Sequence, residues 1–220
     1  MRRISAVLVI GGGLAGCTYG GGDMGDPLTR KLHWFSYVAG DDIRASCQPG
    51  TPDRFRLIYN GVYDRQLRLY EVDSVRRVLS VKVTVPGNAA QLSATDPLAP
   101  WRAIDGKVQL DGPGYDGLVA DLAEAGLFGP PAVGRQLPSR GYHWSAVACK
   151  DGHYHFTGWV WPDPGFEHLA FARDLFAADP TGIAVATPGP LAFDPQYDAK
   201  ARRGETVEFT LKVGENGMVR

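Results

Sequence analysis

The sequence predicts an α+β fold: a mostly antiparallel β-sheet with about two helices. Three observations predict it. Residues 75–85 alternate, with Leu79, Val81, Val83 and Val85 on one side and Ser80, Lys82 and Thr84 on the other. That is the period of a strand with one buried and one wet face. Residues 142–149 and 153–161 flank Lys150-Asp151-Gly152, and Asp-Gly between alternating runs signals a two-residue hairpin. Only two stretches are read as helices, while 28 glycines and 16 prolines favour short elements and many turns.

In chain order, residues 31–38 read as a strand rich in aromatic side chains, ended by Gly40-Asp41-Asp42. Residues 48–52 form a loop by composition. A meander follows. Residues 54–60 place Phe55, Leu57 and Tyr59 on one face, residues 66–72 alternate through Leu67 and Leu69, and residues 75–85 give the third strand. Arginines 54, 56, 65, 68, 76 and 77 cluster here. They read as the solvated face, balanced by Asp64, Glu71 and Asp73, with an anion-binding patch as the alternative. Residues 87–113 are irregular apart from a short strand at 107–110. Residues 115–128 read as a helix, because Tyr115, Leu118, Val119, Leu122 and Ala125 share a stripe. Gly129-Pro130-Pro131 stops it. In the hairpin, Lys150 should pair with His153 and Cys149 with Tyr154. A second helix spans about 166–178, with Asp163 as its cap and Pro164 at its first position. Proline-rich coil then leads to a last strand at 206–213.

The chain opens with Arg2-Arg3, an apolar run from Ile4 to Ile10, three glycines, and Leu14-Ala15-Gly16-Cys17. This opening resembles a bacterial lipoprotein signal peptide, and the last four residues match the lipobox at every position. The resemblance implies cleavage before Cys17, a diacylglyceryl thioether on its sulfur and acylation of the new amino group. The partner is then the lipid bilayer, reached through acylated Cys17. The apolar run falls far short of the about 20 residues that span a membrane. A lipid-anchored protein facing the periplasm follows, and the uncharged Thr18 after the cysteine favours the outer membrane over the inner. The same stretch also resembles the start of a dinucleotide-binding unit, through Gly11-x-Gly13-x-x-Gly16. That motif needs a helix next, and the glycines at 20, 21, 22 and 25 with Pro27 oppose one at about 1 kcal/mol per glycine and more for proline.

With Cys17 acylated, two of the three cysteines are left, Cys47 and Cys149, and in an oxidising periplasm such a pair bonds. The organisation becomes residues 1–16 as signal peptide, 17–30 as lipidated cysteine and flexible tether, 31–213 as one disulfide-linked globular domain, and 214–220 as a fraying tail. A formal net charge of −1, lower still without Arg2 and Arg3, makes no electrostatic case for nucleic acid.

Chemistry is sparsely signalled. The sequence contains no P-loop, His-Glu-x-x-His, Gly-x-Ser-x-Gly or Cys-x-x-Cys, and no cofactor is expected. His153 and His155 project the same way from a strand and form the candidate metal pair of an envelope hydrolase or other metal-dependent enzyme, which would need further ligands. Trp144, His155, Trp159 and Trp161 share the hairpin's other face as a candidate ligand platform for a glycan or an envelope protein. The favoured reading is that these rings are core, covered by the second helix. The expectation is a non-enzymatic binding or structural protein of the cell envelope.

Overall fold

The computed structural model describes residues 18–87 and 93–220. The leader, the glycine motif at 11–16 and Cys17 lie outside the described residues.

The architecture is α+β, as expected. Six antiparallel strands form one sheet: β1 (Arg54–Gly61), β2 (Leu67–Asp73), β3 (Val78–Thr84), β4 (Ile104–Gln109), β6 (Tyr142–Lys150) and β7 (His153–Val160). Their order is β4-β3-β2-β1-β6-β7. The meander therefore supplies four strands, and the hairpin docks on the free edge of β1, pairing Arg54 with Cys149 and Asn60 with His143. A smaller sheet, β5-β8-β9, joins β5 (Gln136–Pro138), β8 (Thr210–Val213) and β9 (Met218–Val219).

The hairpin has the expected register, with Lys150 opposite His153 and Cys149 opposite Tyr154. Asp151 and Gly152 take φ of 51° and 76°, as a type I′ turn requires. A side chain at Gly152 would strike the Pro49 backbone, so this turn packs directly on the loop after Cys47. Cys47 and Cys149 are disulfide-bonded across 102 residues.

Both faces of the large sheet are covered. On the first face, Leu57, Tyr59, Tyr70, Leu79, Val81 and Trp144 meet Leu118 and Leu122 of α3 (Gly112–Glu124) and Phe171 and Leu175 of α4 (Ala170–Ala177). On the second, Ile58, Leu69, Val147 and Phe156 meet Trp34, Tyr37 and Val38 of α1 (Pro27–Ala39), Ile43 of α2 (Asp41–Ser46) and the small sheet. Each fully buried leucine or phenylalanine contributes about 1.5–3 kcal/mol.

Several expectations are corrected. Residues 31–38 are helical, not extended, because Trp34, Tyr37 and Val38 fall on one helical face and bury it. The stretch read as a tether is packed: Tyr19 is 6% and Met24 2% exposed. Asp26 caps α1, accepting from the Leu28 and Thr29 amides, with Pro27 in the first turn. The tail does not fray, since β9 pairs with β8 and Met218 is buried. The second helix begins late. A single 3-10 turn at Phe166–His168 precedes α4, and Asp163 contributes its carbonyl to the Phe166 amide rather than a side-chain cap. A further helix, α5 (Pro195–Arg202), lies within the expected coil.

The arginine cluster is not uniformly solvated. Arg56 and Arg68 are 1% and 0% exposed. Arg56 donates to both carboxylate oxygens of Asp42, at 2.8 and 2.9 Å, to Glu71 at 2.8 Å and to the Tyr37 carbonyl at 2.9 Å. It thereby joins α1, α2 and the sheet. On the opposite face Arg68 donates to the Asp179 carboxylate, the Ile183 carbonyl and Gln66 Oε1, holding the segment after α4 against β2. Solvated positions were expected because the alternation implied one wet face. With a layer on each side, these positions become interior and their partners come from far along the chain.

Candidate binding cleft

The hairpin tryptophans do not form an open platform. Trp144 is 1% and Trp159 9% exposed, and both rings pack on Phe171, at 5.3 and 5.0 Å between centroids. Trp159 Nε1 donates to the Ala125 carbonyl at 3.1 Å. The helix that follows the hairpin covers them, since burying large aromatic area stabilises more than leaving it wet. Trp161 is half-buried against Tyr142 and donates to Glu167 at 3.3 Å.

His155 is half-buried with its ring edge-on to Phe128 at 5.4 Å. Burial first, then the neighbouring His153 and Lys150, lowers its pKa. His153 is exposed at the start of β7. Among the described residues no group of three or more His, Cys, Asp or Glu side chains is arranged to hold a metal ion, so the pair gains no third ligand. His143, the other hairpin histidine, is buried on the opposite face, as the register implied.

A different set of residues lines a cleft of about 730 Å³. One wall is α1, through Arg30, Lys31, Trp34 and Phe35. The β1–β2 connection adds Tyr63, Asp64 and Arg65, and Thr84 to Gly87 and Trp101 form the far side. Phe209 and Val207 close the remaining edge. The floor is aromatic and interlocked: Trp34 meets Tyr63 at 5.3 Å, Tyr63 meets Phe209 at 4.9 Å and Phe209 meets Phe35 at 5.1 Å, all near edge-on. Such pairs add about 0.5–1.5 kcal/mol each beyond their buried area, which holds the floor rigid. Trp101 is 37% exposed at the rim. A side chain at Gly87 would displace its indole.

The rim is cationic. Arg30 donates to the carbonyls of Met24, Gly25 and Trp101 and so fixes the rim, its pKa lowered by burial. Lys31 is exposed, and Arg65 lies 3.7 Å from Asp194. Asp64 is the one carboxylate among the described lining residues, which include no histidine or cysteine. Apolar ring faces with a few polar groups at the edge are suited to stacking and orienting a ligand. Among the described lining residues no nucleophile is seated beside a base.

These residues carry no site signal in the sequence, where Trp34 and Phe35 read as strand and Trp101 falls in an irregular stretch. One signal was available: Asp26-Pro27 at the head of residues 27–39 is a helix start. The fold and cleft define a disulfide-bonded α+β domain with an aromatic, cation-rimmed groove. No protein-family model, curated protein or solved structure matches the chain.

Proposed function

We propose that the chain is a lipid-anchored protein of the bacterial cell envelope, held by acylated Cys17 and facing the periplasm, on the outer membrane. Its domain acts as a non-enzymatic binding module. The observation that carries the reading is the fate of the cysteines. Three are present, two are bonded to each other inside the fold, and the third completes the lipobox. A disulfide closing so long a loop suits an oxidising compartment. Intact mass and amino-terminal analysis of protein made with its leader tests this. The expected chain begins at a triacylated or diacylated Cys17. A chain beginning upstream of a free Cys17 thiol would remove the reading.

Within that role, the groove beside α1 is the ligand site, and an acidic envelope glycan is the class it suits. Trp101 and the half-buried Phe35 and Tyr63 offer ring surface to a sugar, while Lys31 and Arg65 complement carboxylates. Titration of intrinsic fluorescence with soluble peptidoglycan fragments tests it. Trp101→Ala should weaken binding by about three- to tenfold, the equivalent of one aromatic contact. Equal affinity of the two forms would place the ligand elsewhere.

A further inference from the structure

The chain enters its fold without slack. The Tyr19 amide donates to Ser36 Oγ at 2.8 Å, its hydroxyl donates to the Gly22 carbonyl at 2.8 Å, and its ring packs edge-on to Tyr37 at 5.0 Å. Thr18 lines a shallow depression with Leu32, Phe35 and Met218. The described chain therefore begins, at Thr18, against the outer face of α1. A tether would let the domain tumble above an anchored lipid. Tyr19 is packed against the fold instead.

That outer face has the composition of an interfacial helix. Leu28 and Leu32, one turn apart, are 56% and 60% exposed. Lys31 lies beside them, and the Arg220 guanidinium sits 4.7 Å over the Phe35 ring. The acid of the depression, Asp41, is engaged by the Ser36 hydroxyl. Exposed leucines flanked by long cationic side chains fit the boundary between acyl chains and anionic headgroups.

We infer that α1 lies on the bilayer surface, with Leu28 and Leu32 seated among the lipids that hold the acyl chains of Cys17. The inference rests on the lipoprotein reading and adds an orientation to it. Lys31 and Phe35 also line the cleft, so the cleft opens beside the membrane and takes its ligand at the bilayer surface.

The test uses full-length protein expressed with its leader, carrying either Leu32→Cys or Asp116→Cys, the latter on α3 across the sheet. Cys47 and Cys149 are bonded and Cys17 is acylated, so the introduced thiol alone takes an environment-sensitive fluorophore. The acylated protein is placed in phosphatidylethanolamine–phosphatidylglycerol vesicles with and without spin-labelled lipid. The expected result is a blue-shifted emission, quenched by spin-labelled lipid, at position 32 and an aqueous, unquenched emission at position 116. If the protein floats with the vesicles and both labels stay aqueous, the anchor stands and the orientation is wrong. Equal quenching at both positions also overturns the orientation. If mass analysis finds Cys17 unacylated and the protein does not float, the lipoprotein reading fails and the orientation falls with it.

Discussion

The two faces of the large sheet bury similar kinds of side chain but are closed in different ways. The face under α3 and α4 draws its cover from the middle of the chain, residues 112–186. Its buried polar atoms are answered: Trp159 Nε1 by Ala125, Tyr70 and Arg68 by Asp179, Tyr59 by Ala186. The other face gathers both ends of the described chain, from Tyr19 and Met24 to Leu211 and Met218. It carries the disulfide. It also holds the three buried side-chain atoms without a hydrogen-bond partner among the described residues: Trp34 Nε1, His143 Nδ1 and Ser145 Oγ. A layer assembled from distant segments costs more loop closure, and leaves more polar groups to be matched by chance geometry. The second face is therefore the one that a covalent bond reinforces.

Removing that bond is the largest expected perturbation. The bridge spans 102 residues, for which chain-entropy estimates give about 4–5 kcal/mol. The double variant Cys47→Ala, Cys149→Ala should lose most of that in urea unfolding. A loss below about 1 kcal/mol would mean that the second face closes without covalent help, and the contrast between faces would dissolve.

The two buried arginines sharpen the contrast next. Arg68 has one carboxylate partner, Asp179, itself 4% exposed at its side chain. Asp179→Ala should cost about 3–5 kcal/mol by leaving a buried cation without a counter-charge. Arg56 has two, Asp42 and Glu71, so Asp42→Ala should cost less, about 1–3 kcal/mol. Equal losses would show that the Glu71 pairing, at the more exposed end of the network, contributes little.

The same comparison shows what could be read from residues alone. The sheet was legible wherever a period of two or an Asp-Gly pair marked it, and the hairpin register followed from the turn. The disulfide was legible from the count of cysteines. What failed was anything decided by a remote partner. Arg56 and Arg68 stand at positions an alternating strand presents to water, and only Asp42 and Asp179, 14 and 111 residues away, make them interior. Trp34, Phe35, Tyr37 and Val38 are strand-favouring residues, yet their spacing buries Trp34, Tyr37 and Val38 on one helix face. The cleft was illegible for the same reason. Its walls come from five separate stretches, none with a ligand-binding motif of its own.

Acid should find the second face first. His143 is 2% exposed, its Nδ1 has no hydrogen-bond partner among the described residues, and burial pushes its pKa down to about 3. The folded form therefore holds it neutral while the unfolded chain protonates it near pH 6.5. The stability it permits is complete above pH 6.5 and falls as pH drops toward 3, by up to about 1.4 kcal/mol per pH unit. Urea unfolding of the wild type and His143→Asn between pH 7 and 4 checks it. The variant should show a shallower decline, and parallel profiles would assign the acid sensitivity to the carboxylates instead.

The smallest expected effect has the opposite sign. Ser145 is 2% exposed and its hydroxyl has no hydrogen-bond partner among the described residues. A buried unsatisfied polar group costs about 1–3 kcal/mol. Ser145→Ala removes one oxygen, leaves the strand pairing with Ile58 and Gly158 intact, and should raise stability by about 1 kcal/mol. A loss of that size would reveal an ordered water shared with His143 Nδ1, and the second face would then be as well satisfied as the first.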